Sequence, residues 1–170
     1  MRAFSSSGYL LGNARVEVRL VYTGFLVLVT IGLATMAVAQ VGHYGLTPGS
    51  IAIAVRGGER NGVMTFEKTF RELTELTHFH AFSMGVVYLI LAHLIVATRA
   101  PHWVKQCSII GGFAGVTGDI VGLWLVRYVA AAFAWMLLAA WAAEWFAFLS
   151  FVIFPVWDMW ILGPASREDE

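Results

Sequence analysis

Four long apolar segments constrain the fold of this chain more than any other feature of its sequence. They run over about residues 20–41, 77–98, 107–125 and 130–155. Each contains about the 20 residues that an α-helix needs to cross a hydrocarbon layer of about 30 Å. Because hydrocarbon offers backbone amides no hydrogen-bonding partners, segments that cross it are expected to be helical. The sequence therefore predicts an all-α integral membrane protein with four spans.

The composition supports a membrane location and excludes several other classes of protein. Of the 170 residues, 59% are hydrophobic and 13% are charged, whereas soluble domains have about half apolar and about a quarter charged residues. A chain of this size cannot bury so much apolar surface in its own core, so the lipid bilayer must cover the excess. Its formal net charge is zero, and no nucleic-acid partner is expected. The single cysteine, Cys107, excludes an internal disulfide and the attachment motif of c-type haem.

The lengths of the connections predict the topology. Short connections follow the second and third spans, which favours an up-down four-helix bundle as a single membrane domain over residues 1–170. Residues 42–76 form the one long loop, in which GLTPGS predicts a turn through Pro48 and Gly49 and RGGERNG predicts a flexible polar stretch. A short amphipathic helix leading into the second span is predicted where apolar residues recur at helical spacing, at Phe66, Phe70 and Leu73.

The basic residues predict the orientation. Arg15 and Arg19 lie just before the first span, and Arg99 and Lys105 lie in the short connection after the second. Because short cytoplasmic loops carry an excess of Lys and Arg, we expect both termini in the cytoplasm of a bacterium and the long loop outside its inner membrane.

Three histidines are predicted at one depth. His43 ends the first span, while His78 and His80 begin the second, so all three are expected near the outer surface. His93 follows His80 by thirteen residues and lies about 20 Å deeper. Haem b bound by two histidines needs two imidazoles from facing helices at one depth. We therefore predict haem b ligated by His43 and His78, with His80 as the substitute because it lies about 200° around the helix from His78.

The other ionisable residues of the spans are also candidate site residues, because such groups are costly in a membrane and usually face the bundle interior. Asp119 is predicted near the middle or outer half of the third span, and Glu144 near the depth of His93. Together with Glu75, these carboxylates are candidates for proton transfer or quinone binding. Arg127, at the outer end of the third span, is a candidate partner of a haem propionate, although the sequence WLVRY is also typical of an interfacial anchor.

Two alternative interpretations need no haem. Imidazole suits copper and zinc, so His43, His78 and His80 could together bind one such metal ion. Alternatively, His80 hydrogen-bonds a backbone carbonyl and His93 pairs with Glu144, as structural contacts of a non-catalytic anchor or accessory subunit without a cofactor. Small residues of the third span favour close helix packing over a slot for a porphyrin or quinone: Gly111, Gly112, Gly115, Gly118 and Gly122.

Several motifs resemble those of a known group of proteins. GLTP, FRELTELTHFH, GDIVGLWLVRY and PVWDMW are similar to motifs in small bacterial four-helix membrane proteins of unassigned function, a group associated with cytochrome-based electron-transfer systems. This resemblance implies redox work and places Asp119, Arg127 and Asp158 in one arrangement. The spacing of His78 and His93 resembles the paired haem ligands on one helix of membrane cytochromes b. A second haem at His93 would need a ligand from another subunit, because the other spans supply no histidine at that depth.

The leading hypothesis is an integral membrane subunit of a respiratory electron-transfer complex. It would bind haem b and pass electrons between quinone and a periplasmic redox partner, such as a cytochrome, with other subunits as neighbours. No nucleophile triad, phosphate-binding loop or nucleotide fingerprint occurs in the sequence. An electron-transfer subunit is therefore expected rather than an enzyme acting by itself.

Overall fold

The computed structural model describes residues 9–162 and confirms an all-α membrane bundle. Its helices are α1 (Val16–Tyr44), α2 (Pro48–Arg56), α3 (Phe70–Val96), α4 (His102–Tyr128) and α5 (Ala134–Trp160). Within the described residues, the four helices long and apolar enough to cross a membrane are α1, α3, α4 and α5. They run alternately up and down, as the short connections predicted. We call the end that carries α2 the loop end, and the end where the described chain begins and finishes the terminal end.

Helices α3, α4 and α5 form a closely packed three-helix core, in which α4 and α5 have the most extensive contact. The glycines of α4 allow this close approach. A Cβ atom at Gly112 would lie 2.6 Å from the ring of Tyr88, and one at Gly115 would lie 2.6 Å from Cγ of Glu144. The small-residue stripe therefore serves helix packing, as the sequence favoured.

Helix α1 lies beside this core rather than within it. Only 6% of its apolar segment is buried, compared with 33% to 44% for the other three spans. It packs mainly against α2 and α5. As a result, spaces remain between α1 and the core, and they contain the candidate site.

The prediction for the first half of the loop is wrong. GLTPGS begins helix α2 instead of forming a turn, because Thr47 caps it and Pro48 occupies its first position. The side chain of Thr47 accepts a hydrogen bond from the backbone N–H of Ser50 (3.1 Å), which satisfies one of the unpaired amides at the helix start.

The polar stretch after α2 is a short β-hairpin rather than a flexible segment. Strands β1 (Gly58–Arg60) and β2 (Val63–Thr65) pair antiparallel. Asn61 and Gly62 both have positive φ, which is typical of the tight turn that matches the twist of a hairpin. The amphipathic helix predicted next is the start of α3 itself, where Glu72 accepts a hydrogen bond from the backbone N–H of its cap, Thr69 (2.7 Å).

The last helix begins and ends later than the predicted span over residues 130–155. Pro155 lies inside α5, which continues to Trp160. Glu144 is therefore near the middle of the helix.

A network of hydrogen bonds ties the terminal end together. The carboxylate of Asp158 is 1% exposed and accepts hydrogen bonds from the backbone N–H of Gly12 (2.8 Å) and from Nε of Arg99 (2.8 Å). The guanidinium of Arg19 donates to the carbonyls of Met159 (2.6 Å) and Gly12. We call Gly12, Arg19, Arg99 and Asp158 the terminal lock. It joins the segment before α1, the α3–α4 connection and the end of α5.

Candidate functional site

A cavity of ≈ 280 Å³ lies between α1 and the core toward the loop end, and all four spans line it. Its volume is near the lower end of the range of about 300–1,000 Å³ for small-molecule sites. We call it the loop-end cavity. Its polar and aromatic lining residues are Gln40, His43, Tyr44, Lys68, His80, Asp119 and Trp141.

Two of the predicted histidines share this cavity. His43 projects from the last turn of α1, and His80 comes from the facing helix α3. Nδ1 of His80 lies 3.0 Å from the carbonyl oxygen of Leu76. Since that oxygen can only accept, Nδ1 is the donor, and in the neutral imidazole the lone pair is then on Nε2. Histidine ligands of metals commonly have their second nitrogen held in this way.

Asp119 faces the same cavity and is 7% exposed. Nε1 of Trp141 donates a hydrogen bond to its Oδ1 atom at 2.7 Å. The Trp141 ring also contacts Tyr44, with centroids 6.0 Å apart, so these aromatic side chains form one wall of the cavity. The expectation that Asp119 faces the bundle interior agrees with this position.

His78 does not line the loop-end cavity. Its side chain is exposed, and its ring lies against Phe82 with centroids 5.3 Å apart. The preferred pair His43–His78 is therefore not assembled around the cavity, because a step of two residues turns a helical side chain by about 200°. His80, the predicted substitute, takes that place.

The predicted metal set is not brought together either. Within residues 9–162, no three side chains of His, Cys, Asp or Glu form a group that could hold a metal ion. The structure therefore gives no support to a copper or zinc site built from His43, His78 and His80.

His93 and Glu144 lie at different depths, which corrects the prediction that they share one level. The exposed ring of His93 donates from Nδ1 to the carbonyl of Leu89 (2.7 Å) in its own helix. Glu144 lies level with Tyr88, whose hydroxyl donates to the Glu144 carbonyl at 3.3 Å. Five residues of helix separate Tyr88 from His93, or about 7 Å along the axis.

The predicted charged residues of the loop end have structural contacts. Arg127 forms an ion pair with Glu67 (2.8 Å) and donates from Nε to the carbonyl of Lys68 (2.8 Å), so it holds the segment that follows the hairpin. The basic side chain that lines the cavity is that of Lys68. Glu75 pairs with Arg71 on the surface. Asp158 belongs to the terminal lock, so Asp119 and Arg127 do not form one arrangement with it.

A second and smaller space lies beside the loop-end cavity, between α1, α3 and α5. It measures ≈ 20 Å³ and is lined by Gln40, Met36, Tyr88 and Glu144, among others. Gln40 and Met36 line both spaces. The Oε1 atom of Glu144 is buried and has no hydrogen-bond partner among the described residues. We call this space the inner chamber.

Sequence reasoning missed several residues of the site. Gln40 precedes His43 by three residues on α1, a spacing that places both on one helix face. An amide side chain in an apolar span could have indicated that Gln40 faces the site. Trp141 lies inside a predicted span and was not singled out. The sequence could not place Lys68 in the cavity, because the position of Lys68 depends on the preceding hairpin.

Comparison with known proteins identifies the chain as a membrane domain. Residues 45–168 match the family model Aq_1264_TM, a transmembrane helical domain. Since the match covers most of the chain, the protein belongs to this family. The matched region contains α2 to α5 and begins directly after α1, the peripheral helix. No curated protein and no solved structure matches the chain, and the comparisons give no support to a relationship with membrane cytochromes b.

Proposed function

We propose that this transmembrane helical domain is a subunit of a membrane electron-transfer complex and binds haem b in the loop-end cavity, between His43 and His80. One observation carries the proposal: two imidazoles from facing helices line one cavity. The hydrogen bond from His80 to the Leu76 carbonyl adds to it, since it leaves Nε2 available.

The residues present fit such a group. Two neutral imidazoles are a common ligand pair for haem iron, and Tyr44 and Trp141 supply apolar aromatic surface in the cavity lining. The ammonium of Lys68 suits the carboxylates of the porphyrin. Haem would supply one-electron chemistry, while the chain would orient it and exclude water. Because α1 is little buried against the core, a small outward shift of α1 would admit a planar molecule.

The position of the cavity is compatible with the expected partners. We propose that quinone approaches from the bilayer, where α1 leaves the sides of the core accessible, and that a soluble redox protein approaches the loop end. The loop end would then face the periplasm of a bacterial inner membrane, as the basic residues predict. Other subunits would complete the complex.

The test is a reduced-minus-oxidised visible spectrum of the full chain, purified with its partners still attached. We expect the α-band of a b-type haem in the wild-type protein, and its loss or shift in His43→Ala and His80→Ala. The matched control is His78→Ala, two residues away on the same helix, which should keep the wild-type spectrum. Absence of any haem signal from the wild-type sample, or loss of the band in His78→Ala alone, would refute the proposal.

A cofactor-free accessory subunit is the second candidate. The same hydrogen bond between His80 and the Leu76 carbonyl favours it, because it satisfies a polar group of a histidine that has only a structural role. For this candidate, the spectrum shows no haem, and removal of His80 changes only stability, by about 1 kcal/mol.

A further inference from the structure

Glu144 is an ionisable residue in the middle of a span whose carboxyl group is incompletely paired. It lies ten residues into α5, about 15 Å from the loop end of that helix. Its Oε1 atom is buried without a hydrogen-bond partner among the described residues. A carboxyl group in that position costs several kcal/mol unless water or a proton compensates it. Such an unsatisfied group calls for a physical explanation.

The side chains that face Glu144 do not neutralise it. Tyr88 of α3 donates its hydroxyl hydrogen to the main-chain carbonyl of Glu144, not to the carboxyl group. The ionisable residue of α4 that acts on Glu144 is Asp119, which is also acidic, and the polar residue of α1 in the chamber is Gln40. Within the described residues, no lysine, arginine or histidine lines the inner chamber.

The inner chamber has room for water. Its ≈ 20 Å³ exceeds the roughly 10–15 Å³ that one water molecule requires. A water placed there would have Gln40 and Glu144 among its polar neighbours. Because Gln40 and Met36 also line the loop-end cavity, the chamber is separated from that cavity by side chains only.

The half-buried carboxyl group of Glu144 and the buried one of Asp119 follow one another along the α4–α5 contact. Glu144 packs over Gly115, and Trp141, one turn earlier on α5, donates to Asp119, one turn later on α4. Asp119 is therefore about one helical turn, or about 5 Å, nearer the loop end than Glu144. This order leads from the inner chamber to the loop-end cavity.

We propose that Glu144 takes up and releases a proton, and that this proton travels past Gln40 through the loop-end cavity. On release, the O–H bond of the Glu144 carboxyl group breaks and the proton passes to water in the inner chamber. That water passes a proton to water beside Asp119, and from there to the surface at the loop end. Uptake follows the reverse order. The step changes only O–H bonds and moves no electrons, so it requires no haem.

Infrared spectroscopy of the full chain in lipid nanodiscs tests this path directly. Difference spectra across a pH titration are expected to contain the carbonyl stretch of a buried protonated carboxyl group that shifts on transfer to deuterated water. Glu144→Gln, which conserves the side-chain volume, should remove that band. The variant Asp119→Asn identifies any band that belongs to the Asp119 carboxyl group. The surface variant Glu75→Gln should change neither the Asp119 band nor the Glu144 band.

The kinetics of exchange test the route. Gln40→Leu should slow deuterium exchange at the Glu144 band at least tenfold, while Gln40→Asn, which keeps an amide, should slow it less. The path is refuted when no band depends on Glu144 at any pH, or when Gln40→Leu exchanges as fast as the wild-type protein. Because the readout requires no haem, its failure is distinguishable from failure of the proposed function.

Discussion

The carboxylate of Asp158 at the terminal end and that of Asp119 toward the loop end are both buried, but their partners differ. Asp158 accepts hydrogen bonds from Gly12 and Arg99 and lies in a filled, charge-paired network. Asp119 accepts one hydrogen bond from an uncharged indole, that of Trp141, and faces a cavity. A paired network fixes the positions of helices, whereas a carboxylate beside open space keeps capacity for a ligand, water or proton. We infer that the terminal end stabilises the fold and that the loop end is the functional part.

Helix α1 runs from the terminal end to the loop end, and its contacts with the core differ between the two. Near the terminal end, Arg19 donates to carbonyls of Met159 and Gly12, and Thr23 accepts a hydrogen bond from Nε1 of Trp160 (3.0 Å). Toward the loop end, α1 is separated from the core by the loop-end cavity and the inner chamber. Helix α1 is therefore fixed to the core at the terminal end and borders open space toward the loop end.

The largest expected effect comes from breaking the terminal lock. Asp158→Ala removes the acceptor of two Arg99 hydrogen bonds and one Gly12 hydrogen bond, and it removes the carboxylate that pairs with Arg99, whose side chain is 27% exposed. We expect the free energy of unfolding to fall by about 3 kcal/mol, measured by denaturant titration in detergent with tryptophan fluorescence.

The matched control for Asp158→Ala is Glu75→Ala, which breaks an ion pair with Arg71 whose side chains are 88% and 63% exposed. That variant should unfold at the wild-type denaturant concentration, because exposed pairs contribute little. Equal unfolding curves for the two variants would contradict the stabilising role of the terminal end.

The next effect concerns the helix contact between the two ends. Gly115→Ala places a Cβ atom 2.6 Å from Cγ of Glu144 and 3.0 Å from the carbonyl oxygen of Ala140, so α4 and α5 must move apart. We expect a loss of about 1–3 kcal/mol in unfolding free energy, measured by the same titration. Gly85→Ala on α3 is the control, since a Cβ atom at that position meets nothing within 4 Å. Because alanine favours a helix more than glycine does, this variant should keep or raise the free energy of unfolding. Similar losses in both variants would show that packing at Gly115 is not special.

The predicted and observed positions of the histidines and Glu144 indicate which parts of the site can be predicted from sequence. Apolar segments of sufficient length predict spans because the bilayer imposes that length, so the four helices were found. Helical geometry established that His78 and His80 point to different sides, but which one meets His43 depends on how α3 is rotated by its packing against α4 and α5. The depth of Glu144 was wrong because the last span was predicted over about residues 130–155, whereas α5 is Ala134–Trp160.

The loop shows a second limit of sequence reasoning. Thr-Pro-Gly is typical of turns and also of helix starts, and only the reciprocal contact of Thr47 with Ser50 distinguishes them. Lys68 reaches the cavity because the hairpin and the Arg127 contacts direct the chain there. Such long-range placement leaves no periodic pattern in the sequence.

The smallest expected effect tests the loop end. Trp141→Phe keeps an aromatic ring but removes the N–H that donates to Oδ1 of Asp119, and we expect a loss of about 1 kcal/mol in unfolding free energy. Trp135→Phe, at a position 68% exposed, is the control and should match the wild-type protein. In the double variant Trp141→Phe/Asp119→Leu both partners are apolar, so no polar group is left unpaired and part of the stability should return. The single variant Asp119→Leu is measured as well. If the double variant loses as much stability as Trp141→Phe and Asp119→Leu together, Asp119 and Trp141 are not energetically coupled. Recovery would mean that the loop end gains no stability from its buried carboxylate, in contrast to the carboxylate of Asp158 at the terminal end.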